Sequence, residues 1–525
     1  MKCKTNPSDP NTITKFIDKL PIPSVAKDIH DKYPDTCDKN HYIITMEEAY
    51  HKFHSEFPAT YVWGYDGLYP GPTIEAFKDV STFVEWRNNL PSKHFLPFDY
   101  TLHGTQDDPE VKTVVHLHGA KVEWDSDGHP DAWYTKNYEI TGSKFSRREY
   151  EYTNHQAGTT MWYHDHGMGE TRLNVYAGLA GFYILRDSFE KRLNLPKGDY
   201  EIPMLIQDKS FKENGSLFYP DAPPFPVQVS PSIVPGFFGN TIVVNGKIWP
   251  YLEVEPRKYR FRILNGSNRR QYTLSFSNKT PFIQIGTDGG FIDMPTTITS
   301  FSLDPAERVD VIVDFSNLKD EIFTLINTDA EADENTSIVM QFRVTKELKC
   351  KDKSEIPQML RHMPALKEED AHVIRTIPIT PGHDHFGRPM LMMNNKMWSD
   401  PVTEMPVLDT IEVWNIVNAI PVPHPIHLHL IQFKLISRTP FDRDKFNKTG
   451  KIVFIGKPES PKDYEKGFKD TIDAPPGMVT KFIVHFTGYP GEYVWHCHFL
   501  EHEDHDMMRP MKVLDNSYQT QCIKN

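Results

Sequence analysis

The stretch GEYVWHCHFLEHEDHDMM, residues 491–508, sets a cysteine between two histidines directly after the apolar-aromatic run Tyr493, Val494, Trp495. A short run of this kind reads as a buried strand. Side chains alternate across a strand, so His496 and His498 share one face and Cys497 takes the other. One short backbone segment can therefore touch two separate metal centres, one on each side. His502 and Met507 follow at five-residue steps and return to the cysteine side. A thiolate, imidazoles and a weak thioether form a trigonal set with a long axial bond, which suits an electron-transfer copper. Zinc competes for cysteine and histidine, but it prefers four firm ligands and has no redox chemistry. A buried cysteine among core histidines is the bland alternative, and the density of histidine here weighs against it.

The spacing recurs. Residues 114–119 read VVHLHG, 160–167 TMWYHDHG, 425–430 PIHLHL and 492–499 EYVWHCHF, so four His-x-His pairs supply His116, His118, His164, His166, His427, His429, His496 and His498. Spacing by two places both rings of a pair on one strand face. A single pair is weak, but four pairs, two from each end of the chain, are hard to assign to packing. Buried rings without metal would each need their own hydrogen-bond partners. No histidine lies between His166 and His362. The economical arrangement is one cluster between the first and last thirds, four ligands from each, with the middle third a spacer.

The fold follows from a second repeat. GPTIEAFKDVSTFVEWRNNL (71–90) reads as strand, turn and strand. It is echoed by PYLEVEPRKYRFRILNGS (250–267) and LDTIEVWNIVN (408–418), each with an apolar strand closed by Asn, at Asn88, Asn265 and Asn418. Self-similarity of this kind predicts three copies of one β domain. The expected division is 1–187, 195–345 and 372–525. Residues 187–195 form a short bridge and the charged, Pro-containing stretch 346–371 a linker. Helices are expected to be few: 46–53, 171–177 and the stretch after Cys497. The polar residues 1–40 are expected to wrap as an arm over the first domain.

Bulk properties agree. The 525 residues imply several domains, and 42 prolines favour short strands and loops over helices. A net charge of −13 argues against a nucleic-acid backbone as partner. No apolar run is long enough to span a membrane. The start, MKCKTNPSDPNTITKF, has no apolar core and so does not read as a secretory signal, which implies synthesis as a cytoplasmic protein. Cys3, Cys37, Cys350 and Cys522 have no spacing that assigns a pairing, and mostly free thiols are expected.

HLHG, WYHDHG, HPIHLH and HCHFLEHEDHDMM resemble the copper signatures of multicopper oxidases. The chain is most similar to the bacterial spore-coat laccases, a group close to bilirubin oxidases. RPMLMMNNKMWSDPVTEMP (388–406) and IGTDGGFI (285–292) also resemble that group, and the likeness covers about residues 40–515. It implies an all-β chain of three cupredoxin-like Greek-key barrel or sandwich domains that holds four copper ions. The mononuclear type 1 site would be His424, Cys497, His502 and axial Met507. The type 2 ion would take His116 and His427. The type 3 pair would take His118, His164, His166, His429, His496 and His498. The implied reaction oxidises phenols, aromatic amines or bilirubin-like pigments one electron at a time and reduces dioxygen to water. Two acids are implied on the proton route, Glu503 after His502 and Asp127 in WDSDG. His502 is the implied electron port. Partners would be a small aromatic reductant, dioxygen and spore-coat proteins, with the chain a monomer.

Competing expectations are a metallo-oxidase of Cu(I), Mn(II) or Fe(II), and a structural, copper-binding coat protein. A small blue carrier needs one site only, and a two-domain nitrite-reductase type does not need four pairs. The remaining histidines carry less. His383 and His385 in GHDHFG read as a loop, His505 as a surface residue and His155 as a turn. Met390, Met392 and Met393 read as strand core.

Overall fold

The computed structural model describes residues 6–29 and 40–516. Among these, six sheets are arranged two to a unit in three successive units along the chain. In each unit the Asn-closed strand occupies the same place. Thr82–Asn88 runs parallel to Asn40–His51 and antiparallel to Glu149–Tyr152. Lys258–Asn265 runs parallel to Glu201–Phe211 and antiparallel to Arg308–Asp314. Ile411–Asn418 runs parallel to Val373–His383 and antiparallel to Met478–His485. A parallel neighbour requires the chain to leave the sheet and return, so each unit closes as a two-layer sandwich rather than a simple meander.

The three asparagines do one job. Each is buried and accepts from the amide two residues on, that of Leu90, Ser267 or Ile420. Each amide nitrogen then braces an incoming segment: Asn88 to Tyr134, Asn265 to Arg270 and Leu303, Asn418 to Val422 and Ala474, all at backbone carbonyls. A buried carbonyl at a strand end needs such a donor. The repeated Asn is the visible mark of this need.

Apolar packing joins the first two units in one continuous core that runs from Ile13 to Val344, whereas the third has its own around Trp414, Phe482 and Trp495. Residues 346–371 carry no regular structure beyond a short 3-10 turn at Glu368–Asp370. Leu360 and Met363 pin this stretch against Phe291 and Ile292.

Two expectations are corrected. Residues 46–51 continue the strand Asn40–His51 instead of starting a helix. Met-Glu-Glu-Ala favours helix locally, but residue-by-residue pairing of Met46–His51 with Thr60–Tyr65 overrides that preference. The N-terminal arm lies on the middle unit, with Ser8 bonding Phe211 and Leu20 bonding Tyr251. It also lies on the first unit, where Thr14 meets His54 and Glu56, Asp18 accepts from the Ser55 amide and Ala26 bonds Thr73. The helices Thr171–Ala177 and Leu500–Glu503 stand where expected.

Candidate metal centres

Strand register gathers the histidines. In the first unit Val115–His118 pairs with Thr159–Asp165, so that His116 faces His164. In the third, His424–Leu428 pairs with Gly491–Cys497, so that His427 faces His496. Each sheet thus turns four imidazoles to one side, and the two sides meet. His116 stacks on His429, and His118 on His427, with ring centroids 3.7 Å apart in both pairs. The ligand nitrogens fall into three triplets, two of which share His118, each within 4.8 Å: His118, His164 and His498; His166, His429 and His496; His116, His118 and His427. All eight rings are sealed from solvent.

Nearly every ring is fixed through one nitrogen and leaves another free. His116 Nδ1 bonds the Asp127 carbonyl at 2.6 Å, His164 Nδ1 the Asp165 carbonyl at 2.8 Å and His427 Nδ1 the Asp470 carbonyl at 2.8 Å. Their Nε2 atoms, with Nδ1 of His118 and both nitrogens of His498, are buried without a partner. A carbonyl acceptor sets the tautomer and leaves the far nitrogen a lone pair, the arrangement of a metal-ligating histidine. Nε2 of His166 and of His429 come to 3.2 and 3.3 Å of His496 Nε2, three lone-pair donors aimed at one point. Burial, reinforced by neighbouring rings, lowers His164 to about 3 and His166 to about 4, so both stay neutral. The donor set fits metal ions and has no satisfactory packing explanation.

A ring of acids holds the rings. Asp127 uses its carbonyl for His116 and its carboxyl for His429, 2.7 Å away, so one residue spans both units. Glu503 lies 3.0 Å from His496 Nδ1 and 3.7 Å from His166 Nε2. Burial favours its protonated form, but the facing His496 and His166 outweigh burial and hold it at about 2. Asp470 was not foreseen from the sequence. Its carbonyl fixes His427, and its carboxylate meets His118 Nε2 at 3.0 Å and receives both Nη atoms of Arg308 at 2.7 and 2.6 Å. Arg308 belongs to the middle unit, whose role is therefore more than spacing. It is aimed in turn by Asp288 of IGTDGG, which accepts from the Arg308 amide at 2.7 Å.

The other face of Gly491–Cys497 carries a smaller centre. Cys497 Sγ lies 3.6 Å from His424 Nδ1 and 3.8 Å from His502 Nδ1. The Phe499 amide donates to the sulfur at 3.5 Å. Met507 packs in the same core as Cys497, whereas Met508 turns away to Met168 and Trp398. Burial pushes the Cys497 thiol up and His424 down to about 3, so a bound cation is what would make the sulfur a thiolate. His502 is the most exposed of the four at 8%, with its Nε2 3.0 Å from the Pro235 carbonyl.

Three models described as multicopper oxidase match residues 110–189, 231–347 and 373–517. A laccase of Bacillus subtilis is 50% identical over 516 residues, 96% of this chain and 99% of that protein. The chain belongs to the multicopper oxidase family. A laccase of Bacillus stratosphericus is 51% identical over 514 residues, 96% of this chain and 99% of its own length. Multicopper oxidase LPR1 of Arabidopsis thaliana is 38% identical, covering 90% and 88%. Among solved structures, a laccase from Pediococcus acidilactici superposes with a TM-score of 0.76 at 26% identity, covering 96% and 95%. The McoA multicopper oxidase of Aquifex aeolicus gives 0.75 at 27%, covering 96% and 100%. Copper is the metal of this family, and the chain's three cupredoxin-like sandwiches are its fold.

The remaining residues sort as follows. His383 ends a strand and His385 sits in the hairpin turn that follows, apart from both centres. His155 is exposed beside Asp79. Met390 and Met393 are buried strand residues and Met392 is half-buried. His505 is buried, not on the surface: its Nε2 meets Asp384 at 3.1 Å, because the turn after Leu500–Glu503 folds back on the His383 hairpin. Cys350 is unpaired among the described residues, and Cys3, Cys37 and Cys522 lie outside them.

Proposed function

We propose that this multicopper oxidase is a laccase-type enzyme. It takes single electrons from a small phenol, aromatic amine or bilirubin-like pigment and delivers four of them to dioxygen. His424, Cys497, His502 and Met507 would hold a type 1 ion. His116 and His427 would hold a type 2 ion, with His118, His164 and His498 on one type 3 ion and His166, His429 and His496 on the other, four in all. The observation that carries the reading is Cys497, whose sulfur faces His424 and His502 while its chain neighbours His496 and His498 join the eight-ring cluster.

Copper, once bound, supplies reversible one-electron exchange at the cysteine site and multi-electron dioxygen reduction at the cluster. The chain supplies the rest. His502, the least buried ligand, is the electron port. Cys497 is bonded through the backbone to His496 and His498, so the conduit to the cluster is about one residue long. The buried, tightly packed thiolate pocket changes little between redox states, which keeps transfer fast. Glu503 and Asp127 sit against cluster rings and hand protons inward as dioxygen is consumed. Asp470, clamped by Arg308, keeps His118 and His427 from turning. The same reading divides the chain at 1–187, 195–345 and 372–525 with 346–371 as connector, and takes it as a monomer destined for a spore coat. No helix among the described residues is long and apolar enough to cross a membrane.

One observation favours a metallo-oxidase as second reading. A cavity of about 580 Å³ beside His505 is lined by Asp107, Asp108, Asp131, Asp384 and Asp506, a surface able to attract a cationic substrate metal. Copper analysis and oxygen uptake on one sample decide the matter. The proposal expects four ions per chain and uptake with a methoxyphenol or bilirubin. Uptake with Mn(II) or Fe(II) alone favours the second reading. Full copper without uptake on any donor leaves a copper-binding coat protein.

A further inference from the structure

Arg269 stands beside the electron port without a counter-charge. Its Nη1 donates to the Pro235 carbonyl at 2.9 Å, the same oxygen that His502 Nε2 meets at 3.0 Å, so one oxygen separates the guanidinium from the ligand ring. Its Nε is buried with no partner. Arg270, next in the chain, is paired with Asp208 at 3.0 Å, but Arg269 has no carboxylate within 4.0 Å among the described residues. Glu501 is near, yet its carboxyl is engaged by Tyr219 at 2.7 Å and Asn268 at 3.0 Å.

The backbone makes room for this charge. Gly236 has φ +153°, and a Cβ there would run into Arg269 Nη1. The guanidinium carbon lies 5.0 Å from the Phe238 ring and 5.4 Å from the Phe499 ring. Phe499 is the residue whose amide bonds the Cys497 sulfur, and Phe238 is 37% exposed. An unpaired, partly desolvated guanidinium with an open aromatic face at its side matches two features of one ligand, a planar ring and an acid group. The ring stacks, and the guanidinium charge attracts a carboxylate or sulfonate. The chain's charge of −13 otherwise repels anions, so a local cation at the port has a steering task.

We infer that Arg269 is a specificity-determining residue that favours aromatic donors bearing an acid group over neutral ones. The inference rests on the aromatic-donor reading of the His502 face. It is tested on copper-loaded enzyme, wild type against Arg269→Met and Arg269→Lys, with 4-hydroxy-3-methoxybenzoate and its neutral counterpart 2-methoxyphenol. Arg269→Met is expected to cut kcat/KM for the anionic donor roughly tenfold while moving the neutral donor less than about twofold. Arg269→Lys should restore part of the loss. The wild-type preference should shrink as salt rises from about 50 to 500 mM. Binding of redox-inert benzoate, followed by perturbation of the blue absorption, should weaken by the same factor in Arg269→Met. Equal losses for the two donors with unchanged benzoate binding overturn the inference, since the residue then acts through potential or packing alone. Wild-type enzyme idle towards both donors overturns the aromatic-donor reading instead.

Discussion

Asp127→Asn separates the two tasks of one side chain. The backbone carbonyl that holds His116 at 2.6 Å survives the substitution, and the side chain keeps an oxygen for His429, now at 2.7 Å. What disappears is the ionisable acid. Hydrogen bonds to a charged partner are roughly twice as strong as neutral ones, so the His429 contact weakens by about 1 kcal/mol, too little to release a metal. General acid–base help is worth about 100-fold or more, and less where a second acid such as Glu503 shares the route. Turnover is therefore expected to fall by about 10- to 100-fold with copper content and blue absorption unchanged, since Cys497, His424 and His502 lie on the opposite strand face. Asp127→Ala removes the acceptor as well and leaves His429 Nδ1 buried without a partner, at about 1–3 kcal/mol. That variant should lose copper on dialysis where Asp127→Asn does not. The assay is steady-state oxygen uptake from about pH 5 to 9 on samples matched for copper. Wild-type turnover by Asp127→Asn across that range refutes the proton role. Equal copper loss by both variants refutes the division of tasks.

Glu503→Gln keeps the buried volume beside His496 and His166 but can neither take up a proton nor pass one on. Turnover should drop at least tenfold with the blue band intact, and an unchanged pH–rate profile counts against its role. Asn418→Ala strips three buried hydrogen bonds, to Ile420, Val422 and Ala474, and should cost roughly 2–4 kcal/mol in urea unfolding. Ala474 pairs with His424, so the blue band should broaden as well; an unaltered midpoint speaks against the brace. Copper-free protein should weaken steeply on mild acidification. His424 and His164 are each held at about 3 in the fold against 6.5 outside it. A lowered histidine contributes stability above its unfolded value that is lost as pH falls through 6.5 towards 3, at about 1.4 kcal/mol per unit for each ring. Thermal melts of copper-free protein that stay flat from pH 7.5 to about 5 contradict this.

The clustering of the histidines about Cys497 was legible in the sequence because strand alternation is a local rule, and His-x-His and His-Cys-His obey it whatever surrounds them. The three asparagines were legible for the same reason: each closes a strand whose partner lies in its own unit. Asp470 and Arg308 were not. Asp470 meets His118 across 352 positions, and nothing near it marks a carboxylate that three units converge on. The strand at 46–51 was hidden by helix-favouring residues that pairing overrules. His505 looked exposed amid Glu-Asp-His-Asp until the hairpin at Asp384 folded over it.

The imidazole cluster also sets a timetable. Half of its nitrogens are made before residue 167 and the other half only after residue 426, so the nascent chain cannot complete the eight-ring cluster until its final strands have docked. Until then the opening segment must wait through the birth of an entire intervening sandwich, which delivers Arg308 on the way. Metal uptake thus certifies that the two extremities have found each other, at a seam that Arg172 on Asp504, Lys144 on Glu492 and Arg388 on Asp99 also close.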